Sequence, residues 1–388
     1  MSVIKSMIQT EVENIKDSLI TVSDKIHDNP ELGYEEYKAV EILTGELDKH
    51  GFIIEKGLIG IPTAFKATFD GKESGPVIAF LAEYDALPGI GHACGHNMIG
   101  TMSVGAAIAL SKVMKDIPGK IVVFGTPAEE TSGAKVTLVN EGVFDNVDVA
   151  MMIHPKDSNS IIESNLAIDA IEFAYKGKVA QAAIAPWDGI NALDGVIQLF
   201  VAVNALRLRL RPEIRVHGII TKGGLAANII PDEAVARFYI RGPKRKELDA
   251  VVKTIIECAE GAAKSTQTSV SISNYEFSFE NMVPNVTMAH AFRDNLIELG
   301  VQDINEEPIT SFGSSDMGNV SHIIPAIHPY LAIAPKGTIT HSIEFAEATA
   351  SKRAHEVLII GAKALAMTGY DILTNKQLYY RIKEEFKG

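Results

Sequence analysis

Apolar residues recur every three or four positions over residues 4–27 and 34–50, the spacing of helices with one buried face. Between them HDNPELGYEE interrupts the pattern with Asn29-Pro30 and Gly33. Four runs then read differently. TAFKATF, GPVIAFLAEY, GKIVVFGTP and DVAMMIHP are apolar on successive positions, as strands covered on both faces are. Helical patterns alternate with several of them, notably IGTMSVGAAIALSKVM and AKVTLVNEG. The alternation predicts an α/β fold with a central mixed, mostly parallel sheet between helices.

Near Ser164 the order changes. NLAIDAIEFAYKG, IRVHGIITKGG, EAVARFYIRGP and TSVSISNYEFSFE read as strands, and NALDGVIQLFVAVNALRLRL and KRKELDAVVKTIIECAEGAAK as helices. Their sequence is the β-α-β-β-α-β of a ferredoxin-like domain. An inserted domain is therefore expected over 165–281, dividing a larger domain into 1–164 and 282–388. The larger domain ends in HSIEFAEATASKRAHEVLIIGAKALAM, a loop leading into a long helix.

Charge narrows the partners. With 36 basic against 49 acidic residues the chain carries −13, which repels nucleic-acid phosphates and anionic lipid, so neither is an expected partner. No run reaches the ~18 uninterrupted apolar residues of a membrane span. Lys and Glu scattered through MSVIKSMIQTEVENIKDSLI are unlike a signal peptide, and the expected location is the cytoplasm. Two cysteines make no disulfide framework, and Cys258 falls on the apolar side of a helical pattern, where an inert thiol belongs.

Candidate chemistry gathers where the predicted strands end, the usual place for sites in α/β sheets. Asp85 closes the first of these ends, Glu129-Glu130 the second, and His154 the third. GHACGH sets Cys94 between His92 and His96. In an extended loop all three point one way, whereas in a helix only the histidines share a face. A helix is expected to start near Asn97, and a helix N-terminus favours the thiolate that binds metal. Thiolate and imidazole suit a borderline ion such as zinc, although a loop satisfying its own backbone could use the same residues. Glu129 and Glu130 cannot point the same way on an extended chain, so one can bind metal while the other holds a water proton. His154 before its proline, and His341 in THSIE, are ambiguous singly. Together Cys94, His96, Glu130, His154 and His341 offer enough donors for two metal ions with positions open to water and substrate. A redox role for Cys94 lacks a natural resolving thiol. A nucleotide-binding oxidoreductase lacks its phosphate loop, because no GxGxxG follows the first strand.

The runs HDNPELGYEE, EYDALPGIGHACGHNMIG, GTPAEE, MMIHP, GGLAANIIPDEA and HSIEFAEA follow in this order across almost the whole chain. As a set they resemble the aminoacylase and carboxypeptidase G family of dinuclear metallopeptidases, and within it the amidohydrolase branch of indoleacetyl-amino-acid and p-aminobenzoyl-glutamate hydrolases. The resemblance implies two divalent ions, zinc or manganese, on Cys94, His96, Glu130, His154 and His341, with Cys94 bridging. It implies Glu129 as general base, Asp85 as support behind the ligands, and His92 as a loop residue. Glu83 stands where other branches carry a metal-binding histidine. The inserted domain would be a lid through which a homodimer forms, bringing Asn228 and Arg241 to the substrate. Gln181 stands where related sequences carry a histidine that reaches the partner's active site and stabilises the oxyanion. The implied reaction is hydrolysis of an amide or peptide bond in short peptides or N-acyl amino acids. The alternative is a catalytically weakened binding or sensor protein of the same fold.

Overall fold

The computed structural model describes residues 2–388. The first periodic stretch forms two helices, α1 (Val3–Asn14) and α2 (Lys16–His27), which part at Ile15. Ser2 caps α1 by accepting from the Lys5 N–H at 3.1 Å. Next come α3 (Tyr37–Lys49), β1 (Ile53–Lys56), β2 (Phe65–Asp70), β3 (Val77–Ala82) and α4 (His96–Ser111). β4 (Lys120–Gly125), α5 (Ala134–Asn140) and β5 (Val149–Met151) follow. The middle of the chain forms β6 (Ala167–Lys176), α6 (Ala192–Arg207), β7 (Arg215–Lys222), β8 (Glu233–Gly242), α7 (Arg245–Thr266) and β9 (Ser269–Asn274). The remainder contributes α8 (Val286–Glu298), β10 (Ala326–Ile327), α9 (Ile343–Ala348), α10 (Lys352–Thr374) and α11 (Lys376–Lys387).

Two compact units result. The first is Met1–Ser164, Met282–Thr310 and Asp316–Gly388, and the second is Asn165–Asn281 with Ser311–Ser315.

In the first unit the described residues form a six-stranded sheet in the order β1-β2-β4-β3-β5-β10. β3 runs parallel to β4 and β5, and β10 parallel to β5, while β1 and β2 form an antiparallel edge. The continuous apolar run of β3 follows from its central place, since Ile78 through Ala82 are fully buried on both faces. Every residue of α4 is buried as well. Its glycines permit close approach to the sheet: a Cβ on Gly100 would lie 2.7 Å from the Glu83 carbonyl oxygen. α10 has the length and hydropathy of a membrane span, but most of its apolar window is buried inside the protein, which makes it a core helix. Phe80→Ala in β3 should destabilise the protein by roughly 3–5 kcal/mol through lost burial and the cavity left behind. Urea unfolding of both proteins checks this.

The second unit is a four-stranded antiparallel sheet in the order β7-β8-β6-β9. Phe173, Tyr175, Phe238 and Ile240 on one face pack with Leu199 and Val203 of α6 and Ile255 of α7. β9 stops at Asn274, short of the run TSVSISNYEFSFE that suggested it. Residues 311–315 join this unit rather than their chain neighbours, through Leu166 N–H to the Gly313 carbonyl at 2.9 Å and Arg241 Nη1 to Ser314 Oγ at 3.1 Å.

Candidate metal centre

Backbone conformation sets the site. The GHACGH loop is neither extended nor helical. Gly91 and Gly95 both adopt left-handed φ, of 63° and 86°, and α4 begins directly at His96. A Cβ on Gly95 would lie 2.2 Å from Pro155 Cγ, so only glycine lets the segment after β5 reach the start of α4. This approach places Cys94 Sγ 3.3 Å from His154 Nε2. His92 instead turns toward His27, with ring centroids 6.4 Å apart.

Two non-glycine residues hold left-handed backbone here, Ala128 at φ 62° and His341 at φ 64°. Such conformations cost on the order of 1–3 kcal/mol and persist where surrounding contacts over-determine them. The Ala128 N–H donates to Glu36 Oε1 at 2.8 Å, and its carbonyl accepts from the Gly133 N–H at 2.7 Å. The His341 N–H donates to the Ala93 carbonyl at 2.9 Å. The twist at Ala128 turns the chain immediately before Glu129 and Glu130, and the anchor at Ala93 brings His341 beside the cysteine loop.

The side chains converge. His341 Nε2 is 3.1 Å from Glu130 Oε1, and His96 Nε2 is 3.8 Å from the same oxygen. Cys94, His96 and His154 form one group of donor atoms within 4.8 Å of one another, and Cys94, Glu130 and His341 form another. Each could hold a metal ion, and Cys94 belongs to both. Asp85 Oδ1 accepts from His96 Nδ1 at 2.8 Å and Oδ2 from the Glu130 N–H at 2.9 Å, which aims His96 Nε2 into the site. That nitrogen is fully buried and has no hydrogen-bond partner among the described residues. The carboxylates of Glu83, Asp85, Glu129, Glu130 and Asp316 crowd around these donors, with the buried ammonium of Lys135 as counter-charge. A sulfur, imidazoles and excess buried negative charge fit divalent cations of the zinc or manganese kind.

Electrostatics follow the same layout. Burial pushes the Glu129 carboxyl well above its usual range, and the charges of Glu83, Glu130 and Asp316 add to this. Burial works in the same direction on Glu130, but the His341 hydrogen bond and the His96 charge outweigh it and bring the carboxyl down to about 2. Burial opposes the proton on His96, yet Asp85 and Cys94 hold its proton affinity well above that of free imidazole. Burial brings His154 down to about 4, helped by the charge of His96. The expected helix-terminus effect on Cys94 is overruled, because burial and then Glu130 push the thiol well above its ordinary value. Only a strong positive charge at the sulfur would favour the thiolate there.

Several participants carry no signal in the sequence. Glu36 lies in a solvent-like run, YEEYK, yet is fully buried against the PAEE turn. Burial, and then Asp85, raise its carboxyl from the ordinary 4.5 to about 7. A raised acid binds its proton more tightly when folded, so the protein loses stability as pH rises from 4.5 through 7. Glu36→Gln keeps the acceptor for Ala128 and removes that loss. The variant should match wild type at low pH and exceed it by about 3 kcal/mol above pH 7, as denaturant unfolding at pH 5 and 8 would measure. His328 is equally silent in the sequence; it is buried with its ring 5.6 Å from that of His154.

Gln181, Asn228 and Arg241 belong to the second unit. Gln181 and Asn228 come together, since Gln181 pairs with Ile229 and the Ala182 N–H donates to the Asn228 carbonyl at 3.0 Å. Gln181 Oε1 accepts from the N–H groups of Ala183 and Ile184, at 2.7 and 2.6 Å. Arg241 lies elsewhere on β8, beside Ser314 and 5.9 Å from the Tyr239 ring centroid.

Sheet, donor set and adjacent carboxylates together define a metal-dependent hydrolase of amide or peptide bonds. The chain belongs to Peptidase family M20/M25/M40, whose model matches residues 79–366. It is similar to the Xaa-Arg dipeptidase of Mus musculus, with 37% identity over all of this chain and 93% of that protein. It also resembles a p-aminobenzoyl-glutamate hydrolase of Escherichia coli, with 33% identity over 80% of this chain and 68% of that protein. Among solved structures, a dinuclear metal-binding peptidase of family M20 from Bacillus subtilis superposes with a TM-score of 0.69 at 22% identity, covering 92% and 98% of the two chains.

Proposed function

We propose that this chain is a two-metal dipeptidase that releases the C-terminal residue of short peptides, with arginine as the preferred released residue. The observation that carries this reading is the meeting of two metal-competent groups at Cys94, beside the paired carboxylates of Glu129 and Glu130. Arginine is favoured because the Xaa-Arg dipeptidase similarity spans the whole chain.

Cys94, His96, Glu130, His154 and His341 would hold two divalent ions, zinc or manganese, which when bound polarise the scissile carbonyl and acidify an attacking water. Glu129 accepts the proton of that water and returns it to the departing amine. A high proton affinity suits this role, and burial already disposes Glu129 toward it. Asp85 keeps His96 in the tautomer that offers Nε2. Arg241 and Asn228 are proposed to hold the substrate carboxylate or carbonyl. With its oxygen taken by two backbone donors, Gln181 keeps its NH2 group as a donor for the oxyanion, contributed across a homodimer. The edge strand β7, with Ile219 and Ile220 exposed, and the exposed Ile197 and Val201 of α6 support a dimer built through the second unit. Free thiols at Cys94 and Cys258 suit a reducing cytoplasm.

The test is hydrolysis of a dipeptide panel with C-terminal Arg, Lys, Leu and Glu, alongside N-acetyl amino acids, read by amine release. Metal-dependent turnover fastest on the Arg dipeptides is expected. Absence of turnover on every substrate with zinc or manganese supplied would favour a binding or sensor role, which the exchange of a cationic imidazole for Gln181 makes the second reading.

A further inference from the structure

One fully buried cation lies beside the donor groups. Lys135, the second residue of α5, is 0% exposed, and its ammonium is 2.6 Å from Glu83 Oε1 and 2.6 Å from Asp316 Oδ1. The Lys135 N–H donates to Asp316 Oδ2 at 3.0 Å, so Asp316 holds both ends of the same residue. Glu83 and Asp316 form a third group with Glu129, in which one oxygen from each lies within 4.8 Å of the others. Three converging carboxylate oxygens are a donor set for a hard divalent ion such as manganese, magnesium or calcium. Glu83 Oε2 is buried without a hydrogen-bond partner among the described residues and lies 3.5 Å from His96 Nε2, which ties this group to the metal centre.

We propose that the ammonium of Lys135 is the permanent occupant of a third cation position, standing among Glu83, Asp316 and Glu129 where a divalent ion would otherwise bind. Three carboxylates sharing one dry site repel one another and demand a positive charge. An ammonium on a side chain supplies it without exchange with solvent, and two of its three N–H donors fix Glu83 and Asp316. A third ion beside Glu129 would claim the oxygen that must accept the water proton, so a tethered cation keeps that carboxylate available. Lys135 is on this view a positioning residue for Glu129.

The inference rests on the two-metal reading, and counting ions separates the two. Full-length protein stripped with chelator is equilibrated with millimolar Mn²⁺, desalted by equilibrium dialysis, and assayed for metal per chain. Wild type should saturate at two ions and Lys135→Ala at three. Three ions on wild type, or two on Lys135→Ala, overturn the proposal, whereas fewer than two on wild type would instead sink the two-metal reading. If Lys135→Ala does not fold in chelator, millimolar Mn²⁺ or Ca²⁺ should restore its circular dichroism and melting transition. Failure of both ions to do so overturns the proposal as well. Lys135→Arg, which keeps a cation in place, should stay at two ions.

Discussion

Glu129→Gln should lower kcat on dipeptides by about 10²–10⁴-fold, the usual contribution of a positioned proton acceptor. KM and metal content should change little. The amide has nearly the volume of the carboxylate but cannot take a proton from the attacking water. Glu129 belongs to neither of the two donor groups that share Cys94, so the metal donors survive the substitution. Steady-state kinetics with metal analysis of the same preparation checks both parts. Turnover within a few-fold of wild type would remove Glu129 from the mechanism and leave the neighbouring carboxylates to be tried in its place.

Removing metal should have the other large effect. Chelation is expected to abolish turnover and to destabilise the fold by about 4 kcal/mol if the ions normally stand at a thousand times their dissociation constant. The sign follows from the charges. Glu83, Asp85, Glu129, Glu130 and Asp316 lie close together with a single buried ammonium among them, and ions that bind only the folded arrangement relieve that repulsion. Protons compete for the same donors, so the loss should come at lower chelator concentration as pH falls. Asp85→Asn should weaken metal affinity by about 10–100-fold, because the amide no longer orients His96 as the carboxylate does. Thermal melts across a chelator series, followed by re-addition of zinc or manganese, measure both effects. An unchanged melting transition after complete metal removal would contradict this account of the site.

Much of the chemistry was legible in the chain because sheet topology fixes where strand ends go. Once β3, β4 and β5 are recognised as neighbours in a largely parallel sheet, Asp85, Glu129-Glu130 and His154 must emerge on one edge, however far apart they are in sequence. The ferredoxin-like order of the inserted segment was legible for a similar reason, since its strands and helices carry distinct apolar periods. The buried Lys135 and Glu36 were not legible. A lysine or glutamate in a polar run reads as a solvated side chain, and burial becomes visible only when a distant residue closes over it, Asp316 in one case and the Ala128 turn in the other. The short helix α11 is equally hard to read, because its apolar positions are few and its burial depends on packing near α8 and α10.

GHACGH alone allowed a metal site, a redox thiol or an ordinary loop. What the amino-acid sequence determined by itself was the stock of donors, their order, and the strand ends that carry them, because periodicity and turn chemistry are local. Tertiary structure decided which donors face one another. The left-handed turns at Gly95, Ala128 and His341 choose Cys94 and His96 over His92 and bring His341 to Glu130. It also decided the protonation of the site, because burial and the summed field of groups from distant segments reverse the thiol shift that the local helix terminus implied.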